Sequence, residues 1–258
     1  MSYVKAMFAR YWFWLSILWL TVSFRIGFSE EMISETQKFS YPFASESRLQ
    51  LSNQNGSVQI LGDDSNEVRI EAVKKAHSQS ELAAIDVSVE QNDKTIAIKT
   101  IWDDSSRRRV DSSVEYRISI PRHFAAIEII TANGSVSAKN FEAETSLRSA
   151  NGAIEASDLL GSLTLESLNG SVALTQNQNA SAAKLSTTNG SISLTLPASA
   201  NVSVSAQTKV GQIQSDLPAN QRRRVNVVGE ELRTTLGDGA NPIRLRTVNG
   251  TIRIQTKG

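Results

Sequence analysis

The chain has 258 residues, no cysteine, two histidines and a formal charge of +1. The missing thiols exclude disulfide scaffolds, thiolate zinc sites and cysteine nucleophiles. His77 and His123 leave the last 135 residues without imidazole, which argues against imidazole catalysis or a His-rich metal site there.

Residues 1–10 carry Lys5 and Arg10 and no acid, and Tyr11 to Phe24 follow as fourteen uncharged, mostly apolar residues. This is the profile of a signal peptide, shorter than the roughly 20 apolar residues of a membrane-spanning helix. Arg25 interrupts the run, and Gly27 and Ser29 are small residues placed for cleavage before Glu30; an uncleaved N-terminal anchor is the alternative. In either case the basic start keeps the N-terminus in the cytoplasm and sends the remainder across. Without Lys5, Arg10 and Arg25 the charge is 24 basic against 26 acidic residues, or −2, unlike a general nucleic-acid binder. The leader also holds nine of the sixteen aromatic residues, and none follows Phe141. The exported part therefore needs a thin core of Val, Ile, Leu and Ala.

Residues 30–48 read as a polar lead-in. Between 49 and 125 lies an irregular β region. Its alternating segments are 67–73, 86–91, 95–101 and 113–120, with a short helix predicted over Ser80 to Ala84 and a strand end at Pro121.

A ten-residue element then dominates the chain. It occurs at Leu51–Ile60, Ile129–Ala138, Leu147–Ala156, Leu165–Leu174, Leu185–Leu194 and Leu245–Ile254, six copies without a gap. Each centres on an Asn-Gly pair. Leu or Ile stands four residues before the Asn, and Val or Ile three after it. Two before it stands Ser or Thr, replaced by Asn53 in the first copy. The four central pairs, at Asn133, Asn151, Asn169 and Asn189, are spaced by 18, 18 and 20 residues. A degenerate turn, Val210-Gly211, follows 21 residues later, and Gly237-Asp238-Gly239 separates the last strands.

Alternation on both sides of a turn means two strands, each with one buried face. Asn-Gly is also the strongest short hairpin signal, so an antiparallel β-meander closing into a barrel or sandwich is one reading. The other is an all-β single-stranded β-solenoid, a β-helix-like repeat domain over residues 126–258, with each Asn-Gly stacked on the one below. Equivalent residues at five aligned positions favour the solenoid, because stacked coils put like on like at about 4.8 Å.

These residues resemble the bacterial putative-adhesin domains of unknown function, exported β-strand-repeat proteins. The resemblance covers about residues 38–258. It rests on the first repeat copy, on Glu115-Tyr-Arg-Ile-Ser-Ile-Pro121 leading into Ile127 to Val136, on the repeated turns, and on Ile243-Arg-Leu-Arg-Thr-Val-Asn249-Gly250-Thr-Ile252. It implies the fold and an exported or membrane-attached protein, and it supplies no catalytic residue.

Candidate sites are few. Asn55, Asn133, Asn169, Asn189 and Asn249 sit in Asn-x-Ser/Thr, but turn geometry, with Gly at positive φ and Asn side chains bonding along a ladder, explains the pairs without glycosylation. Asp63-Asp64-Ser and Asp103-Asp104-Ser, with Asp238, offer oxygens for calcium but lack calcium-loop spacing, and read as solvated turns. Arg107–Arg109 and Arg222–Arg224 are basic runs suited to phosphate or an anionic polymer, or simply to solubility. His77 and His123 lack partners at metal-ligand or triad spacing. Residues 167–215 contain no acid and only Lys184 and Lys209 as bases, a nearly neutral stretch that could lie against a glycan or another copy.

The expectation is an exported, monomeric, non-enzymatic module for cell-envelope or surface interaction, adhesin-like or a scaffold. It would reside in the periplasm or on the cell surface and be membrane-attached only through its N-terminal segment. It would have a glycan or protein partner, no nucleic-acid partner, and no cofactor, metal or catalytic residue. The rivals are a self-assembling structural envelope protein and, less favoured, a polysaccharide-active solenoid enzyme, for which the outward repeat positions offer no recurring carboxylate pair. The irregular region before residue 126 and the segment Gln221 to Arg224 are expected to cover the ends of the stack.

Overall fold

In the computed structural model, residues 32–43, 46–92, 94–103, 111–217, 221–225 and 228–257 are described. The leader, Asp104 and Arg107–Arg109 lie outside them. Strand β1 (Ile33–Pro42) precedes β2 (Arg48–Asn55) and β3 (Val58–Asp63), which flank the first Asn-Gly pair. Next come β4 (Glu67–Ala76), the helix α1 (Gln79–Ala83), β5 (Ile85–Asn92), β6 (Thr95–Trp102) and β7 (Ser113–Pro121). The regular repeat comprises β8 (His123–Asn133), β9 (Val136–Ser149), β10 (Ile154–Leu160), β11 (Leu163–Asn169), β12 (Val172–Thr175), β13 (Ala183–Asn189) and β14 (Ile192–Pro197). Strands β15 (Val202–Val210), β16 (Ile213–Ser215), β17 (Gln221–Val225), β18 (Gly229–Leu236), β19 (Asn241–Asn249) and β20 (Ile252–Lys257) follow.

The Asn-Gly turns do not make hairpins. Each carries the chain from one sheet to a second, and every strand within the stack pairs in parallel with its counterpart in the next coil. The first sheet runs β6, β2, β8, the C-terminal half of β9, β11, β13, β19 and β15. The second runs β7, β3, the N-terminal half of β9, β10, β12, β14, β20 and β16. This is a two-sided β-solenoid, and parallel pairing rules out the antiparallel meander. Antiparallel strands finish the stack: β5 on β6, then β4 on β7 and β1 on β4 at one end, and β18 on β15 with β17 on β18 at the other.

Like stacks on like in the core. Leu51, Ile129, Leu147, Leu165, Leu185 and Leu245 form one buried column, and Val58, Val136, Ile154, Val172, Ile192 and Ile252 the facing one. Burying each such side chain contributes about 1.5–3 kcal/mol. The few aromatic rings gather at the early end, where Tyr116 is fully buried. Its hydroxyl lies 2.7 Å from Thr100 Oγ1, which donates to Asn53 Oδ1 at 3.0 Å. Burial pushes the Tyr116 phenol up to about 12.

Two departures from the sequence reading concern order. The coils do not stack in chain sequence: β19 and β20 slot between the β13/β14 coil and the β15/β16 coil, so the degenerate Val210-Gly211 turn lies beyond Asn249-Gly250. Every coil offers the same buried face, so the repeat spacing carries no information about which coil follows which. The segment 30–48 is also more than a lead-in, because Ile33–Pro42 pairs residue for residue with β4 and packs Phe39 and Tyr41 against the core.

The late end of the stack is closed by side chains. Arg222 Nη2 donates to the Ile213 carbonyl at 2.8 Å, and Glu230 Oε2 accepts from the Ile213 amide at 2.8 Å. Both backbone groups of Ile213 on the short edge strand β16 are thus occupied, which blunts an edge that could otherwise template pairing.

Candidate interaction surfaces

Three columns of side chains build the Asn-Gly corner. Outermost is an asparagine ladder: the Nδ2 of Asn133, Asn151, Asn169, Asn189 and Asn249 each donates to the Oδ1 of the asparagine in the neighbouring coil at 2.8–2.9 Å, starting from Asn55. Each of these five amide nitrogens is thus already a donor within the ladder, while Asn55 Nδ2 donates to the Ser112 carbonyl at 3.4 Å. Beside it the glycines stack. A Cβ on Gly152 would stand 2.1 Å from the Gly134 carbonyl oxygen, and one on Gly170 would stand 2.2 Å from that of Gly152. The expected positive φ is found at Gly56, at 114°, and at Gly250, at 159°, but not at the four central glycines. At Gly134, Gly152, Gly170 and Gly190 close approach between coils is the reason instead. Innermost, Ser149, Ser167, Thr187 and Thr247 donate to the carbonyls of Gly134, Gly152, Gly170 and Gly190 at 2.8–3.1 Å.

The opposite corner is less regular. Asn140 and Asp158 adopt positive φ there, and Asp158 accepts from the backbone amide and Nδ2 of Asn177 at 2.9 and 2.8 Å. A shallow pocket of about 340 Å³ is lined by Arg122, His123, Glu142, Asp158, Gln176 and Asn177, among others. Its charges are already engaged: His123 Nδ1 stands 3.1 Å from Glu142, and Arg122 Nε donates to Asp64 at 2.6 Å.

The acidic loop tips serve the turns. Asp63 accepts from the Ser65 amide at 3.0 Å and from Arg69 at 2.5 Å, and its neighbour Asp64 holds Arg122. Burial pushes the Asp63 carboxyl up, but the Ser65 and Arg69 contacts outweigh it and leave the group below its ordinary value. Asp103 and Asp238 do not join this pair: Asp238 accepts from Ala240 N in the turn before β19, and Asp103 N donates to Ala84 O at the early end. Among the described residues no group of three metal-ligating side chains comes together. His77 donates its backbone amide to Glu81 Oε2 at 3.0 Å beside the start of α1, and its Nε2 is 4.0 Å from Asp111. In the basic run, Arg222 closes the stack while Arg223 lies 2.5 Å from Glu231.

The outer face of the first sheet divides by charge. Over β5, β6, β2, β8, β9 and β11 the outward acids Asp86, Glu90, Glu128, Glu144 and Glu166 outnumber Arg48, Lys99 and Arg148. Over β13, β19, β15, β18 and β17 the outward charges are Lys184, Arg244, Arg246, Lys209, Arg233 and Arg223 against Glu231 alone. The neutrality of residues 167–215 is therefore not a property of a surface, because inserted β19 places Arg244 and Arg246 between β13 and β15. Sequence reasoning missed this patch, as its members are scattered from Lys184 to Arg246 and meet only through the strand insertion.

Comparison with solved structures finds likeness to a putative cell adhesion protein from Clostridium sporogenes, 14% identical, covering 86% of this chain and all of that one, with a TM-score of 0.45. A putative adhesin from Bacteroides fragilis is 14% identical, covers 89% of this chain and 98% of its own, and has a TM-score of 0.39. A putative lipid binding protein from Parabacteroides distasonis is 10% identical, with coverages of 86% and 97% and a TM-score of 0.33. Comparison with curated proteins returns no match. Residues 32–255, which span the whole two-sided stack from β1 into β20, match the Toastrack DUF4097 family, and the chain belongs to that family.

Proposed function

We propose that this protein is a non-enzymatic interaction module of the cell envelope, adhesin-like or a scaffold, exported by its N-terminal segment and acting as a monomer through the outer faces of its sheets. The observation that carries the reading is the parallel stacking of six Asn-Gly coils, which presents long faces with side chains in rows at strand spacing. Such faces suit an extended partner better than a small substrate. The engaged charges of the corner pocket support the non-enzymatic reading, and the Arg222 and Glu230 caps on β16 favour a monomer over end-to-end assembly. Among the described residues no helix is long and apolar enough to cross a membrane.

Co-sedimentation of the purified protein with isolated cell envelopes tests the reading. Retention is expected, as is its reduction when bulky residues replace small outward ones, as in Ser52→Trp or Thr164→Trp, at unchanged melting temperature. Retention indifferent to every outer-face substitution, or no retention, would overturn it. N-terminal sequencing of the envelope fraction is expected to begin near Glu30, and an intact Met1 on soluble cytoplasmic protein would remove the export assignment.

A further inference from the structure

We infer that the late half of the first sheet's outer face is a docking surface for an extended polyanion, a polymer repeating phosphate or carboxylate groups. The inference rests on the outer-face reading above and names the chemistry of the partner.

Charge balance motivates it. On this half, Glu231 is shared by two cations, Arg223 at 2.5 Å and Arg233 at 3.0 Å. Lys184 likewise shares Glu166, on the adjoining β11, with Arg148. Among the described residues no carboxylate lies within 4 Å of Arg244, Arg246 or Lys209. Unshared guanidinium groups thus stand on a strand whose neighbours, through Ser205, Gln207 and Ser186, add no negative charge.

Geometry supports an extended ligand. Arg244 and Arg246 are two residues apart on one strand, about 6.6 Å, and Lys184 faces Arg244 on the next strand, about 4.8 Å away. Arg233 continues the same row beyond Ser205. Lys184, Arg244 and Arg246 thus stand about 5–7 Å apart, with Arg233 about 10 Å further along the row, spacings that a chain bearing an anion on each unit can meet, and a planar guanidinium donates to phosphate or carboxylate in bidentate fashion. A bilayer fits less well. The interstitial outward residues are Ser203, Ser205, Gln207 and Thr235, with Pro242 and Val248 at the two ends of β19 as the apolar exceptions and no aromatic ring, Leu, Ile or Met side chain among them to enter an acyl layer.

The test uses the full chain with fluorescent polyphosphate and, separately, polygalacturonate. Binding to at least one is expected, weakening steeply between about 50 and about 200 mM salt as counterions are released. The two polymers distinguish phosphate from carboxylate as the preferred anion. Arg244→Glu with Arg246→Glu is expected to weaken binding at least tenfold at an unchanged melting temperature. The same change of charge at Lys99→Glu with Lys139→Glu, outside the patch, is expected to leave it within about twofold. Equal effects of the two double variants would overturn the inference, as would binding to anionic vesicles but to neither polymer. Envelope retention without polymer binding would overturn this inference alone and leave the interaction-module reading standing.

Discussion

Asn53 Nδ2 donates to the Gly56 carbonyl at 3.1 Å, and that is the acceptor which the column pattern reserves for Thr131 in the next coil. Thr131 is 2% exposed, and its hydroxyl has no partner among the described residues, unlike those of Ser149, Ser167, Thr187 and Thr247. Replacing an unsatisfied buried hydroxyl by a methyl removes a desolvation cost and no bond. Thr131→Val is therefore expected to be neutral or stabilising, whereas Thr187→Val, which breaks the 2.8 Å bond to Gly170, is expected to cost about 1 kcal/mol. Urea unfolding of the two variants reads the contrast.

Gly152→Ala is expected to destabilise by at least about 2 kcal/mol, because the new methyl meets the Gly134 carbonyl oxygen at 2.1 Å and the fixed coil spacing offers no room to yield. A loss of less than about 0.5 kcal/mol in a denaturant melt would contradict close approach as the reason for the glycine column.

Stability is expected to fall at both extremes of pH. Hydrogen bonding and charge from Arg223 hold Glu231 below its ordinary value of 4.5, and Lys184 does the same for Glu166. Their contribution is complete above that ordinary value and is lost as the pH falls through the lowered one. Tyr116 behaves in the opposite sense. Its folded value of about 12 lies above the ordinary 10, so its contribution is complete below 10 and is lost between 10 and 12. Thermal melts across pH, with tyrosinate absorbance on the alkaline side, check both limbs. Tyr116→Phe is expected to reduce the alkaline loss.

Cysteines at positions 135 and 153 are expected to cross-link under mild oxidation. Ser135 and Ala153 are equivalent in adjacent coils, and the Val136 amide already donates to the Ala153 carbonyl at 2.9 Å. One strand spacing puts the two Cα atoms within the roughly 4.4–6.8 Å that a disulfide bridges. Failure of a folded double variant to cross-link would count against the parallel stack.

Much of the architecture was legible in the sequence because stacking constrains side chains one position at a time. The Leu and Val columns, the asparagine ladder and the inner hydroxyls each appear as an aligned letter, and the exceptional Asn53 marks the coil whose lower neighbour is Val114 rather than another glycine. The place of β19 was not legible, since Leu245 and Ile252 would fit against any coil equally well. The strand β1 was hidden for a different reason. It lies at the margin of its sheet, where only Phe39 and Tyr41 of its inward residues reach the core and the remainder stay polar. The basic patch inherited the first of these ambiguities, because its members become neighbours only once β19 is placed.

The insertion of β19 and β20 also bears on how such a chain is assembled. A stack built in chain order can grow one turn at a time as the chain is synthesised, each new turn sealing the one before. Here the β13/β14 turn must wait with an open side while the segment carrying β15 to β18 passes it, and the two can be joined only when β19 and β20 arrive. Loss of this late segment would not shorten the stack by one turn. It would detach the β15–β18 portion from everything beneath it, so the domain has a closing step on which its far end depends.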